Sequence, residues 1–219
     1  MQKYYQQRDK RTQRRKDREM GSNGSHRLQA LLQHFQYSHS MPNNSNSKLI
    51  VSMRAAVLIC VFEGEVALPG GKREEGDADD VQTALREAKE EIGLNPSLVS
   101  VVTLLQPFQT NYGVTVIPVV GILSDRDAFS PVLASAEVKA IFDVPLEMFL
   151  KNDNRRAEEK EKMGEKYLIH YFDYENENKK YVIWGITASI LTSAATLLLQ
   201  QPPAFLEQRP KNLGRNHGK

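Results

Sequence analysis

Glu87, Glu90 and Glu91 stand at positions i, i+3 and i+4 within Arg86-Glu87-Ala88-Lys89-Glu90-Glu91-Ile92-Gly93-Leu94. On a helix that spacing carries three carboxylates onto neighbouring faces. Like charges so placed repel by roughly 0.2–0.5 kcal/mol per pair, and an ordinary Glu-rich helix turns such a face to water. The alternative is a hard divalent cation, Mg²⁺ or Mn²⁺, which takes oxygen ligands and keeps several waters. The surroundings favour the cation. Arg86 precedes the first glutamate as a charge partner, and a Leu68-Pro69-Gly70-Gly71 turn lies upstream, where a glycine carbonyl can approach a metal closely. A divalent ion there would suit metal-dependent phosphate chemistry. Glu87, Glu90, Glu91 and Gly71 are the candidate metal ligands, and Arg86 fixes a glutamate rotamer.

The elements that must hold these groups can be read from pattern. Val81, Ala84, Leu85, Ala88 and Ile92 recur at helical spacing and predict a stripe facing a core. Asp77 is placed to cap the helix start, and Gly93 to end it in a left-handed turn. Arg54–Phe62, RAAVLICVF, reads as a buried central strand. Val99–Leu104 and Val114–Leu123 are further strands, and Pro118 inside the second implies an edge, a bulge or an end. Asn152–Lys166 is dense in charge and reads as a solvated excursion. Tyr167–Tyr174 and Lys180–Trp184 alternate as a hairpin around Glu175–Lys179, with His170 a structural residue within it. Val182–Leu199 reads as a strand end followed by a core-packed helix that stops before Pro202 and Pro203, with no stable membrane span.

Gly71 together with Arg86–Leu94 resembles the signature of the Nudix hydrolases, REUxEExGU in its second half. Ala88 is smaller than the aliphatic residue usual there. Asp77 stands where a Glu is usual, with one extra residue between it and Arg86. The same acidic swap and extra residue, in the wording GGK…D…DD…TALREA…EEIGL, resemble the coenzyme A pyrophosphatase branch, especially its plant members. The resemblance runs on through Leu105–Phe108, Val116–Leu123, Glu137–Leu150, Glu165–Tyr174 and Trp184–Leu191, so it covers about Arg54 to Leu206.

What the resemblance implies is an α+β fold, a Nudix α/β/α sandwich with a mixed central sheet, over residues 48–207. The implied reaction is Mg²⁺- or Mn²⁺-dependent hydrolysis of coenzyme A or an acyl-coenzyme A to 3′,5′-ADP and (acyl-)4′-phosphopantetheine. Glu137 resembles an acidic residue that such enzymes hold near the metals and joins the catalytic candidates. Members of the branch place a second strand and a basic coenzyme A recognition loop after the strand that corresponds to Arg54–Phe62. Here only Glu63 and Gly64 intervene before Glu65-Val66-Ala67, so the sheet is expected to lack one strand, leaving neighbouring backbone groups unpaired. A shortened transcript and a true variant both account for the gap. Other nucleoside diphosphate derivatives (ADP-ribose, NADH) are alternative substrates, and an inactive Nudix-fold binding protein is the alternative class.

With 219 residues, 40% of them hydrophobic, the chain can bury one full core and still carry tails. A net charge of +2 gives no global case for a nucleic-acid or membrane partner. The expected partner is a small nucleoside diphosphate of coenzyme A type, and a homodimer is left open. The single cysteine, Cys60, lies in an apolar run and reads as a buried core residue, which suits cytoplasm or an organellar matrix, the mitochondrion included. Residues 1–47 read as a disordered basic tail with a short amphipathic helix at 25–37, and 208–219 as a loose basic tail. Asp9, Asp17 and Glu19 count against a transit peptide, and Met20 is an alternative start that would expose Gly21 to myristoylation.

Overall fold

The computed structural model describes residues 53–62, 65–110, 112–123, 125–132, 141–162, 164–176 and 178–208. The helix expected at 25–37, both flanking tails apart from Gln208, and Glu137 lie outside the described residues.

The apolar run Arg54–Phe62 forms β1, as its composition predicts. It lies parallel to β6 (Thr115–Leu123), every residue of which is buried. On its other side β1 meets β2 (Glu65–Ala67) and β3 (Gly70–Lys72), both antiparallel. These two are successive pieces of one line of chain, interrupted at Leu68-Pro69. The interruption is bridged, since Leu58 N–H donates to the Pro69 carbonyl at 2.8 Å. β4 (Val99–Leu104) and β5 (Phe108–Gln109) line the far side of β6, and β7 (Val144–Pro145) pairs with β2. The central sheet therefore runs β4-β6-β1-β2-β7, mixed in direction.

Two expectations change here. The short link after β1 does not leave that strand's edge bare. Cys60 pairs with Ala67, Val61 with Val66 and Phe62 with Glu65, so β2 occupies the place beside β1. Pro118 lies not on an edge but in the central β6. Its carbonyl accepts from Leu105 N–H at 2.9 Å, in the break between β4 and β5. N–H and C=O of one strand residue point to the same side, so the missing N–H of Pro118 faces that break, where the ladder is already interrupted.

Helix α1 (Asp80–Ile92) lies on one face of this sheet. Its stripe of Ala84, Ala88 and Ile92 packs with Ala56, Leu58 and Cys60 of β1 and Val119 of β6. Val81 and Leu85 flank that cluster, as the helical spacing requires. On the opposite parity Ile59, Val61, Val120 and Ile122 are also buried, so the sheet is covered on both faces. Gly93 (φ 71°) ends α1 in the left-handed conformation. Its N–H donates to the Lys89 carbonyl and that of Leu94 to the Ala88 carbonyl, which satisfies two of the helix's terminal carbonyls.

The C-terminal third forms a second sheet. β8 (Arg155–Lys162), β9 (Glu165–Asn176) and β10 (Lys179–Trp184) are an antiparallel meander ordered β10-β9-β8. The hairpin expected at 167–184 is present and longer. The stretch expected as a solvated excursion is instead strand β8, its charges paired locally: Lys160 with Glu158, and Lys166 of β9 with Glu159 at 2.8 Å. A strand that carries charges of both signs can pair them with its neighbours while its exposed face stays in water. Phe172 of β9 is fully buried edge-on against Phe149 (5.1 Å between centroids) in the 3-10 turn Leu146–Leu150. Helix α2 (Gly185–Leu199) packs on that turn and on β9 and β10. No helix among the described residues is long and apolar enough to cross a membrane. His170 is buried, with Nδ1 2.9 Å from an Arg155 Nη, and Phe205 packs 5.0 Å from its ring. Gln208, expected to begin a loose tail, is pinned to β9: its carbonyl accepts from Leu168 N–H and its side chain donates to the Lys166 carbonyl, both 2.8 Å.

Phe149→Ala removes a fully buried ring that joins the 3-10 turn to the second sheet. It should cost about 3–5 kcal/mol in urea unfolding at 25 °C. A loss under about 1 kcal/mol would show that the two are not packed as described.

Candidate active site

The carboxylate helix is positioned by the loop that precedes it. Asp79, not Asp77, caps α1: its Oδ1 accepts from Gln82 N–H at 2.8 Å, while Gln82 Oε1 accepts from Ala78 N–H at 2.6 Å. The spacing Asp79-x-x-Gln82 is a capping-box pattern that was present in the sequence. Asp77 is taken up elsewhere. Its side chain is almost fully enclosed and accepts from Arg86 Nε and Nη2 (3.0 and 3.1 Å), from Thr83 Oγ1 (2.9 Å) and from Glu74 N–H (3.0 Å). The Arg86 hydrogen bonds, and then the Glu74 amide, hold the Asp77 carboxyl well below the usual carboxylate range. Arg86 is pushed up in turn, chiefly by Asp77, and is a permanent cation.

Arg86 has further partners. Nη2 donates to the Lys72 carbonyl at 3.0 Å and lies 3.1 Å from Glu87 Oε1, and Nη1 donates to Glu90 Oε2 at 2.9 Å. One guanidinium thus joins β3, the acidic loop and two of the three glutamates. Arg54 makes a second tie across the same region, bidentate to Asp80 at the helix start (Nε 3.2 Å, Nη2 2.5 Å).

The strand and the helix meet residue by residue. Gly70 N–H donates to Glu91 Oε2 at 3.2 Å, Gly71 faces the Glu87 carboxylate, and the Lys72 carbonyl accepts from Arg86. The predicted Gly-Gly turn is in fact strand, with neither glycine at positive φ. Both glycines serve close approach instead. A Cβ at Gly71 would fall 2.2 Å from Glu87 Oε1, and one at Gly70 would fall 2.5 Å from Val57 Cγ1. Glu87 is 15% exposed against 57% for Glu90, so the two face different surroundings.

Glu87, Glu91 and Gly71 are therefore brought together, with Glu90 one turn of side chain outward on the same guanidinium. Among the described residues no three acidic, histidine or cysteine side chains close on one point, because Glu87 and Glu90 are both turned to Arg86. The donor set fits a hard cation nonetheless. It offers carboxylate oxygens, and the missing Cβ of Gly71 leaves the Glu87 oxygens open to the β3 backbone. Glu87, Glu90, Glu91 and the Gly71 carbonyl could hold Mg²⁺ or Mn²⁺ there. Arg54, Asp79 and Thr83 escaped the sequence reading; only Asp79 had a local signal. Cys60 is buried, and burial, then the Asp143 charge, pushes its thiol up to about 12, so it is no nucleophile.

Asp77 binds its proton less readily folded than unfolded, so it stabilises the fold above pH about 4, and that share is lost as pH falls. Asp77→Asn should therefore cost about 2 kcal/mol at neutral pH. The gap between variant and wild type should narrow steadily below pH about 4. Parallel melts across that range check it; a pH-independent gap would contradict the depressed carboxyl.

The family model described as the NUDIX domain matches residues 42–167, more than half of the chain. Nudix hydrolase 15, mitochondrial, of Arabidopsis thaliana is 56% identical over 179 residues, 72% of this chain and 63% of that protein. Nudix hydrolase 22, chloroplastic, from the same plant is 55% identical over 178 residues, 72% of this chain and 59% of that one. This chain thus spans about three fifths of the length of these two relatives. The peroxisomal coenzyme A diphosphatase of Mus musculus is 35% identical over 181 residues, 77% of this chain and 76% of its own length. With the glutamate helix seated on a glycine strand and the mixed sheet beneath it, the chain belongs to the Nudix family.

Proposed function

We propose that this chain is a divalent-metal-dependent pyrophosphatase that hydrolyses the diphosphate of coenzyme A or an acyl-coenzyme A, releasing 3′,5′-ADP and (acyl-)4′-phosphopantetheine. The observation that carries the reaction class is the seating of Glu91, Glu87 and Arg86 on Gly70, Gly71 and Lys72. The named activity of the murine relative supports the coenzyme A substrate. Residues 48–207 form the catalytic domain on this reading, and the names of the two plant relatives favour an organellar matrix.

Glu87, Glu90, Glu91 and the Gly71 carbonyl would hold Mg²⁺ or Mn²⁺, which when bound neutralises the diphosphate oxygens and lowers the pKa of water. The chain's own groups have separate tasks. Asp77 anchors Arg86, and Arg86 sets the rotamers of Glu87 and Glu90. A carboxylate takes the proton from the attacking water as its oxygen bonds to one phosphorus and the P–O bond to the bridging oxygen breaks. Glu137 and the helix glutamates are the candidates for that base.

The link of β1 directly to β2 favours a second reading within the same chemistry. The basic recognition loop expected of the coenzyme A branch has no counterpart there, so another nucleoside diphosphate such as ADP-ribose or NADH would be the substrate. A chain that binds such compounds without turning them over would instead be a Nudix-fold binding protein.

Glu91→Gln and Glu90→Gln should each lower Mg²⁺-dependent turnover by about 10²–10⁴-fold, with melting curves close to wild type. Wild-type rates in both variants would refute the assignment. Chromatography of products from coenzyme A, acetyl-coenzyme A, ADP-ribose and NADH separates the readings, and calorimetric binding with no product from any of them would favour the binding protein. Gly71→Ala should lower kcat at least tenfold by displacing the Glu87 carboxylate.

A further inference from the structure

The three-stranded sheet has two edges, and the chain treats them differently. Edge strands offer free backbone N–H and C=O groups to other chains, and proteins commonly blunt them with charge. β8 is blunted in this way, its sequence RRAEEKEK being charged at seven of eight positions. β10 forms the other edge with KKYVIW, which carries no charge beyond its two leading lysines. Among the described residues, no strand pairs with its outer side. Val182 and Trp184 are 47% and 55% exposed. Trp184 is not loose: it stacks on Tyr171 of β9 at 5.7 Å and 8°, and Arg156 of β8 lies 4.3 Å over that tyrosine ring. The strand is also close to self-complementary. Lys180 and Trp184 sit two residues either side of Val182 on one face, and Tyr181 and Ile183 flank it on the other.

We propose that β10 pairs antiparallel with β10 of a second copy of this chain, about a two-fold axis at Val182, to make one six-stranded sheet. This register sets Val182 against its symmetry mate, Tyr181 against Ile183 of the second copy, and Lys180 against Trp184 of the second copy. Each Lys180–Trp184 pair brings an ammonium to an indole face, and the symmetry makes two such contacts. The assembly closes, because the outer edges that remain are both the charged β8. A five-residue ladder is small beside the ~1,600 Å² of a standard interface, so the dissociation constant belongs in the micromolar range. The surface lies apart from the glutamate helix and the pairing requires nothing of its chemistry.

Sedimentation equilibrium of the full chain from about 1 to about 200 µM should show conversion to twice the 24.8 kDa monomer mass. Val182→Lys, which sets two ammonium groups against each other on the axis, should weaken the dimer at least tenfold. Val182→Cys should cross-link to itself on mild oxidation, whereas the wild type, whose single Cys60 is buried, should not. Should Val182→Lys fail to give a cooperative melt, Trp184→Glu and the Val182→Cys cross-link decide alone. A monomer throughout the range would overturn the proposal, as would dimers indifferent to these charges or no cross-link at position 182. Monomers that bind an extended peptide along β10 would show the edge serving a different partner, and would overturn it as well.

Discussion

The arrangement around the glutamates depends on the hydrogen bonds of one guanidinium. Arg86 offers five N–H donors in a rigid fork, and they meet Asp77, the Lys72 carbonyl, Glu87 and Glu90. Its partners come from a loop, a strand and two points on its own helix. Three like charges on one helix face repel, and a fixed cation among them lets the face exist before any ligand arrives. The Asp77 end of the fork is buried and multiply hydrogen-bonded, so the guanidinium is held from behind while its outer nitrogens meet the glutamates. A lysine would supply the charge but not the fork.

Beneath that contact, the sheet brings a strand of glycines to the helix. β1 is buried on both faces and paired on both sides, so it is the rigid reference for everything around it. β3 hangs on β1 by antiparallel pairing, the bare Gly70 leaves room for Val57 of β1, and the bare Gly71 lets α1 lie against the strand with the Glu87 carboxylate in that space. The direct link from β1 to β2 keeps the ladder continuous along the other half of that edge. The second sheet is joined through aromatic packing at Phe149 and Phe172. Its chemistry is distinct from that of the glutamate helix.

Where sequence reasoning succeeded or failed follows the range of the forces involved. The bounds of β1 and β4, the apolar stripe of α1 and the Gly93 stop were legible because each rests on neighbours within one or two turns of chain. Asp77 was misread as a cap because local rules favour any Asp before a helix, and nothing local says that Thr83 and Arg86 will claim its oxygens. β8 was misread because its charges mimic a solvated loop; its strand state comes from pairing with β9. For Pro118 a sound rule offers an edge, a bulge or an end, and only the break between β4 and β5 shows how a central strand carries it.

By itself the sequence determined which residues carry charge, which helix face they share and which glycines stand near them, since these follow from residue type and from helical spacing. From those residues the family was legible. Tertiary structure decided which carboxylate faces which partner: Glu91 to the Gly70 amide, Glu87 to Gly71 and Asp77 to the back of Arg86. It decided too that the two glycines serve as extended backbone of close approach and not as a turn. Contacts of that kind join residues 9 to 21 positions apart. No spacing rule reaches so far, and they exist only once β1 has brought β3 under the helix.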